Sequence, residues 1–435
     1  KAWQWSLATG IAVVLLVAIL SVAVVRTFPR FKRIQWLQDS LNQSARENLT
    51  GIRVVHAYNA EEYQEKKFEK VNTELLNNSL FANRTMTILS PFMSLVMNCL
   101  NMSIYWIGAV LINAVAINGA ASVAARVGIF ADMIVFMSYA MQVIMSFIMI
   151  VMVIIIMPRA LEAAKRISEV LATEPKVVSG SVTDSGDVRG TVEFKNVSFT
   201  YPGGSGSVIS DVSFKADRGE TVAFIGSTGS GKTTLMNLIP RFYDASEGEV
   251  LVDGVNVKEY DLEALYAKIG YVSQKAVMFT GTVADNVAFG QNADESKLTD
   301  ALEISHSADF ISELEDKENA HMARGGTNFS GGQKQRLSIA RALCRDCEIL
   351  IFDDTFSALD FKTDRELRDA LKDRTAGQTK LIVAQRIGTI MSADRIVVLD
   401  EGRVVGIGTH RELLKSCEVY RQIALSQLSE EELAI

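Results

Sequence analysis

The chain has 435 residues, more than one typical domain, and 44 Lys and Arg against 51 Asp and Glu give a formal charge of −7. No basic stripe is available to neutralise phosphates, which excludes a nucleic-acid partner. The four cysteines, Cys99, Cys344, Cys347 and Cys417, include one close pair. No second pair or nearby His completes a zinc site around Cys344-x-x-Cys347, and no thioredoxin-like context supports a redox role, so they read as ordinary reduced thiols and small buried residues. Composition is uneven along the chain. Long apolar runs and most of the methionine lie before about residue 160, and the remainder reads as a soluble α/β domain.

The chain opens at Lys1, without Met or a signal peptide, directly into an apolar stretch. It is expected to be an N-terminally incomplete piece of a longer polypeptide. Residues 3–25 form a charge-free run with Ile11–Leu20 at its centre. About twenty apolar residues at 1.5 Å per residue cross a hydrocarbon core of ~30 Å. Trp3 and Trp5 sit at one end as interfacial anchors, and Arg26, Arg30, Lys32 and Arg33 crowd the other, which assigns that end to the cytoplasm. A polar, helical cytoplasmic loop is expected over 26–85, with Glu62–Lys66 an attractive pair and Glu65–Glu69 a repulsive one, as on a solvated face. Thr50-Gly51 interrupts it, and Ile52–Tyr58 forms an apolar island. That island reads either as a turn between two helices or as a small transverse helix docking on another domain.

A second span is predicted over 86–114, with Asn98 and Asn101 at its middle, placed either to line a path or to bond a neighbouring helix. A short loop around Asn118-Gly119 follows, and behind Asp132 a third span covers 133–157. Arg159, Lys165 and Arg166 return the chain to the cytoplasm. Met133, Met137, Met141, Met145, Met149 and Met152 form one stripe at helical spacing. Such a stripe suits either a surface accepting varied apolar ligands or plain helix packing. With three spans, the start of the first lies outside; a protein beginning in the cytoplasm would need an odd number of further spans ahead of Lys1.

The first domain is thus expected over 1–171. Residues 172–190 read as a Pro-, Ser- and Gly-rich linker, and a second domain covers 191–435. It begins with an alternating strand, Thr191–Tyr201, whose terminal Tyr201 either stacks on a base or covers a sheet edge. An apolar strand, Thr221–Ile225, then runs into Gly226-Ser227-Thr228-Gly229-Ser230-Gly231-Lys232-Thr233-Thr234 and an apolar helix start. Strand, glycine-rich loop and helix are the parts of a phosphate cradle. Backbone N–H groups turn inward, Lys232 reaches the β- and γ-phosphates, and Thr233 offers its hydroxyl to Mg²⁺. Further on, Cys347–Asp354 reads as a buried strand ending in two carboxylates, where a Mg²⁺-holding Asp353 belongs. Between them, Ser330-Gly331-Gly332-Gln333 opens a helix and makes a second anion-binding N-terminus. A single triphosphate does not easily reach both, which points to a dimer sharing nucleotides across its interface.

These motifs resemble the ATP-binding-cassette exporters over nearly the whole chain. Gly226–Thr234 matches their Walker A segment, Ile349–Asp353 Walker B, and Ser330–Gln333 the signature. Tyr201 matches the adenine-stacking aromatic, Gln274 the Q-loop that contacts Mg²⁺ and water, and Ser357–Asp360 the D-loop, with Asp360 at its end. The resemblance implies an α-helical transmembrane domain followed by an α/β P-loop ATPase domain with an antiparallel β subdomain and a helical subdomain. It also makes the spans the fourth to sixth of six, turns 52–58 into a coupling helix, and places the protein in a bacterial cytoplasmic membrane with its ATPase domain in the cytoplasm. Implied with it are ATP and Mg²⁺, a second half-transporter, the lipid bilayer and an amphipathic, drug- or lipid-like substrate.

Two positions depart from the hydrolytic pattern. Asp354 stands where the catalytic Glu is expected, one methylene or about 1.5 Å short, beyond the tolerance of a general base. Gln385 stands at the switch His; it bonds a γ-phosphate but cannot carry positive charge. A third departure is the lack of a Glu in His321–Gly326 ahead of the signature. The expected protein is therefore a heterodimeric exporter subunit that binds ATP at an impaired site and lends its signature to the partner. The alternatives are a homodimeric lipid or peptide exporter and an ATP-gated channel or regulator.

Overall fold

The computed structural model describes residues 3–115, 120–291 and 294–429. The loop expected around Asn118-Gly119 lies outside the described residues. The chain divides into two compact units, Lys1–Glu174 and Pro175–Ile435.

Four helices build the first unit: α1 (Trp3–Thr50), α2 (Ile52–Ala57), α3 (Glu61–Asn113) and α4 (Ala120–Leu171). Among the described residues, three helical stretches, Trp3–Thr50, Glu61–Asn113 and Ala121–Ile150, are long and apolar enough to cross a membrane. The apolar run 3–25 and the polar residues behind it belong to one uninterrupted helix of 48 residues, and α3 is likewise continuous over 53. Pro29 lies inside α1, where it removes one N–H donor from the ladder; nearby, the Thr27 hydroxyl donates to the Ala23 carbonyl. The polar ends of α1 and α3 are clasped by Arg33 to Glu74 (2.6 Å), Arg30 to Asn78 (2.8 Å) and Lys67 to Glu47 (3.2 Å). Their apolar ends share with α4 a core of Trp5, Leu16, Leu100, Ile104, Met133 and Ile144. Between Thr50 and Glu61 the island folds as the short helix α2, with none of its residues buried.

The helix that carries the third expected span extends ahead of Met133. It starts at Ala120, in a lead whose Ala120, Ala121, Ala124, Ala125 and Arg126 are strong helix formers. Arg126 reaches back toward the preceding helix end and donates to the Val115 carbonyl at 2.6 Å. The methionine stripe divides: Met133 is buried against Gly108, while Met145, Met149 and Met152 are 55%, 70% and 63% exposed. Asn98 is exposed, Asn101 half-buried, and neither side chain has a hydrogen-bond partner among the described residues.

The second unit is built on two larger sheets. An antiparallel sheet has the order β2 (Ile209–Ala216), β1 (Val192–Phe199), β4 (Glu247–Val252), β5 (Val255–Asn256). The other has the order β12 (Arg403–Gly408), β11 (Arg395–Asp400), β3 (Thr221–Gly226), β10 (Thr379–Val383), β9 (Ile349–Asp353), β6 (Ile269–Val272), parallel except for β12. A two-stranded ribbon pairs β7 (Gly281–Thr282) with β8 (His321–Met322). The helices are α5 (Lys232–Leu238), α6 (Leu262–Ala267), α7 (Val283–Ala288), α8 (Glu295–Ile304), α9 (Ala308–Ser312), α10 (Gly331–Leu343), α11 (Phe361–Arg374), α12 (Ile387–Ile390), α13 (His410–Ser416) and α14 (Glu418–Leu425).

The parallel strands read as continuous apolar runs because both faces are covered. Val222 and Phe224 of β3, Ile349 and Ile351 of β9, and Leu381 and Val383 of β10 join a core shared with the antiparallel sheet and α5. Their alternating neighbours, Ala223, Ile225, Leu350, Phe352 and Ile382, face a second core with α11, α13 and α14. A third cluster, including Val283, Leu302, Phe310, Met322 and Leu337, holds the helical subdomain together. Cys344, Cys347 and Cys417 are buried, Cys99 is exposed, and all four are free.

The segment expected as a linker is strapped to this unit. Gly180 N–H donates to the Tyr260 carbonyl (2.8 Å), Ser181 and Val182 N–H to Glu259 (2.9 Å each), and Asp261 N–H returns to Val182 (2.9 Å). At its end Lys268 bonds the fully buried Asp253 carboxylate at 2.8 Å and lies 3.4 Å from Glu348. Asp253 also accepts from Thr191 N–H at 2.9 Å, and Glu348 from Gly190 N–H at 3.2 Å. Burial alone would lower the Lys268 ammonium, but the Asp253 bond and the charges of Asp253 and Glu348 hold it above the ordinary lysine value. Lys268→Met strands a buried carboxylate, so a loss of about 3–5 kcal/mol is expected. A thermal melt of the full-length chain should show a midpoint lowered by more than about 5 °C.

Candidate nucleotide site

All the phosphate-side residues stand at the carboxyl ends of parallel strands, where open α/β sheets place their ligands. The glycine-rich loop follows β3, Asp353 ends β9 with Asp354 next, Gln274 lies just beyond β6, and Gln385 just beyond β10. β3 lies between β10 and β11, so the loop emerges at the centre of the sheet.

The loop is shaped for close backbone approach. A Cβ on Gly226 would lie 2.0 Å from the Leu399 carbonyl oxygen, whereas one on Gly229 would meet nothing within 4 Å. Gly231 precedes α5 at φ +93°, in the left-handed region, and a Cβ there would lie 2.5 Å from Ile209 Cγ2. Gly231→Ala combines strain with a clash and is expected to weaken ATP binding at least tenfold, on the order of 1.4 kcal/mol, in an equilibrium binding titration. Lys232 is buried with its Nζ donating to the carbonyls of Gly226 (2.9 Å) and Ser227 (2.8 Å) and to Ser230 Oγ (3.2 Å). Burial lowers this ammonium's pKa, with Asp354 and Asp353 pulling the other way. Thr233 Oγ1 donates to Asp353 Oδ1 at 2.9 Å. Burial raises the Asp353 carboxyl above the usual range, against the bonds from Thr233 and Tyr271.

Three predicted residues converge on one oxygen. Asp354 Oδ2 accepts from Gln274 Nε2 at 3.0 Å and from Gln385 Nε2 at 2.7 Å. Its other oxygen, Oδ1, is buried and has no hydrogen-bond partner among the described residues. Asp354 also stands at φ +50°, a left-handed conformation that Asp tolerates better than most residues. Tyr201 packs edge-on against Phe199 and Tyr243, and its hydroxyl lies 3.1 Å from Thr234 Oγ1.

The signature stands apart from this group, and no hydrogen bond among the described residues joins it to the glycine-rich loop. Ser330 caps α10 through a reciprocal box: its Oγ accepts from Gln333 N–H (3.3 Å) and its N–H donates to Gln333 Oε1 (2.8 Å). Gly331 is open, and a Cβ built on Gly332 would lie at ordinary contact distance from Ala358 and Leu359 in the D-loop. The Asp360 carboxylate caps α11, accepting from the Lys362 and Thr363 N–H groups at 3.1 and 3.0 Å.

Two contacts were not legible in sequence. The Tyr271 hydroxyl donates to Asn237 Oδ1 at 3.1 Å and lies 3.5 Å from Asp353 Oδ2; burial pushes this phenol well above its ordinary pKa. Gln335 on α10, buried, donates to the Ser273 carbonyl beside Gln274 at 3.4 Å. Tyr271 stands inside the quoted Tyr271-Val-Ser-Gln274 stretch, whereas nothing in spacing marks Gln335.

Comparison with known proteins places the chain in its class. Residues 209–357 match the ABC transporter family model and residues 2–147 match the ABC transporter transmembrane region. An uncharacterized ABC transporter ATP-binding protein of Mycobacterium tuberculosis is 39% identical over 427 residues, covering 94% of this chain and 70% of the relative. An ATP-dependent lipid A-core flippase of Pseudomonas fluorescens is 35% identical over 425 residues, covering 97% of this chain and 68% of the flippase. Among solved structures, a bacterial Atm1-family ABC exporter with ATP bound matches with a TM-score of 0.83 and 26% identity over 98% of this chain and 73% of that one. The chain belongs to the ABC transporter family. It is an exporter-type half-transporter and an ATP-hydrolysing transport enzyme of the membrane, with its ATPase domain in the cytoplasm.

Proposed function

We propose that this chain is one subunit of a heterodimeric exporter of amphipathic compounds, holding ATP at an impaired site and completing its partner's competent one. The observation that carries the reading is the capture of Asp354 Oδ2 by the two amides of Gln274 and Gln385. A general base needs a carboxylate oxygen that water can reach, and here Oδ1 is buried while Oδ2 already accepts from both amides. Here the short carboxylate faces two neutral donors, and the switch position supplies an amide in place of an imidazole. Tyr201 and Gly226–Thr234 would hold the nucleotide. Ser330–Gln333 and Asp360 would face the nucleotide held by the other subunit.

Thr233, Gln274 and Asp353 would hold Mg²⁺, which neutralises charge between the β- and γ-phosphates when bound. The residues fit that ion: hydroxyl, amide and carboxylate oxygens are hard donors, and Mg²⁺ sites commonly combine one or two carboxylates with substrate phosphates. The domains would follow the expected division, 1–171, 172–190 and 191–435, with spans near 3–25, 86–114 and 133–157. Ile52–Tyr58 would dock on the partner's ATPase domain.

A homodimeric lipid exporter is the second reading, favoured by the relatives that carry the name lipid A-core flippase. An apolar groove of about 390 Å³ lined by Leu16, Leu20, Met93, Phe147 and Ile148 supports an acyl-chain ligand under either reading. Purification of tagged chain from its native membrane, with mass identification of whatever copurifies, separates the two. A different half-transporter in equal amount supports the heterodimer; the same chain alone, with full ATPase activity, refutes it.

A further inference from the structure

The segment that carries Gln385 is gripped from the far end of the chain. Gln427 lies in the turn after α14, and its side-chain amide bonds the switch segment twice. Nε2 donates to the Gln385 carbonyl at 2.7 Å, and Oε1 accepts from Ile387 N–H at 2.9 Å. Ile387 opens α12, whose preceding residue, Arg386, provides no side-chain cap. Gln427 therefore satisfies an orphan helix donor from 40 residues away. The turn is itself fixed. Gln427 and Leu428 N–H groups both donate to the Ala424 carbonyl at 3.0 Å. Ala424 is buried in the core beneath, and Leu428 packs against the same cluster. On its other side the segment is held by Arg386, whose guanidinium donates to the carbonyls of Leu359 (3.2 Å) and Ser357 (3.3 Å) in the D-loop.

We infer that Gln427 is a positioning residue for the nucleotide site: it fixes the backbone from which the Gln385 amide reaches Asp354, and so ties the C-terminal turn to the γ-phosphate side. The inference rests on the proposed placement of Asp354 and Gln385 beside bound nucleotide. The Gln427 side chain bonds the backbone of Gln385 and Ile387, not Asp354 or the glycine-rich loop, among the described residues. It acts through Gln385, and its removal frees a carbonyl and an N–H on either side of Arg386. The Gln385 side chain then samples directions other than that of Asp354 Oδ2.

The test is a double-mutant cycle on the full-length chain in its membrane assembly, reading the rate at which radiolabelled ATP leaves this chain's site. Gln427→Ala should speed release by about three- to tenfold, the range expected for one or two lost hydrogen bonds. Gln427→Glu keeps the acceptor for Ile387 N–H but loses the donor to Gln385, and should match it. In a Gln385→Ala background, Gln427→Ala should add less than about twofold. Release unchanged in Gln427→Ala, or accelerated by the same factor with and without Gln385, overturns the inference, because a merely structural role would persist in both backgrounds. If the unaltered chain retains no ATP, the proposed function itself fails and the inference falls with it.

Discussion

ATP turnover at this chain's own site is expected to rise by about 10²–10⁴-fold when Asp354→Glu and Gln385→His are combined, the factor attached to a well-placed general base. The geometry says why both changes are needed. The Asp354 oxygen that faces its neighbours already accepts from Gln274 and Gln385 at 3.0 and 2.7 Å. Glutamate extends the carboxylate by about 1.5 Å, and histidine replaces one of the two amides with a group that can carry charge. Asp354→Glu alone leaves both amide donors in place, and Gln385→His alone leaves the carboxylate short, so each single variant should gain much less than the pair. The measurement is phosphate release from the complex in which the partner's own Walker A lysine has been removed. A double variant no faster than the parent would show that these two residues do not limit hydrolysis, and the proposed asymmetry would lose its physical basis.

A carboxylate placed at the signature should have the opposite effect on the other site. Gly331 is open, with nothing within 4 Å of a Cβ built on it, and it occupies the first turn of α10, where an acidic side chain is favourable. Gly331→Asp should therefore fold normally and leave ATP binding to this chain within about twofold of the parent. On the proposed reading, in which this turn faces a partner-held γ-phosphate, the same carboxylate would set like charge against like in a poorly screened gap. Turnover by the complex is expected to fall more than about a hundredfold, the scale of removing a preorganised anion-stabilising group. Complex ATPase activity and ATP binding, measured on the same preparation, separate the two effects. Unchanged turnover would mean that the α10 terminus of this chain does not help the neighbouring site.

Those elements that announce themselves locally were legible in sequence. The glycine-rich loop, the apolar strand ending in Asp353 and the helix opened by Ser330–Gln333 each combine turn residues with a change of periodicity, and each forms at the expected residues. Asp353 and Thr233, separated by 120 positions, are brought to 2.9 Å by the parallel sheet, as the paired motifs imply. Helix extents were less legible. Hydropathy marks where a segment stops being apolar, not where it stops being helical, so α1 and α3 run far past their apolar portions and α4 begins before Asp132. The strapping of 180–182 to Glu259 and Tyr260 was invisible because it uses backbone groups of a stretch rich in loop residues. Gln427 was invisible for a related reason: a lone glutamine near the C-terminus has no spacing that ties it to residue 385.

The unbroken course of α1 has a mechanical consequence. At 1.5 Å per residue, 48 residues make a rod of about 70 Å, and its three polar clasps to α3 turn two rods into one stiff beam. A swing of only about 5° around a fulcrum near the middle of the apolar portion would carry the tip at Gly51 sideways by about 5 Å. Small rearrangements among lipid-level side chains are thereby magnified at the tip that carries α2, and loads applied there return to the bilayer with the same gain.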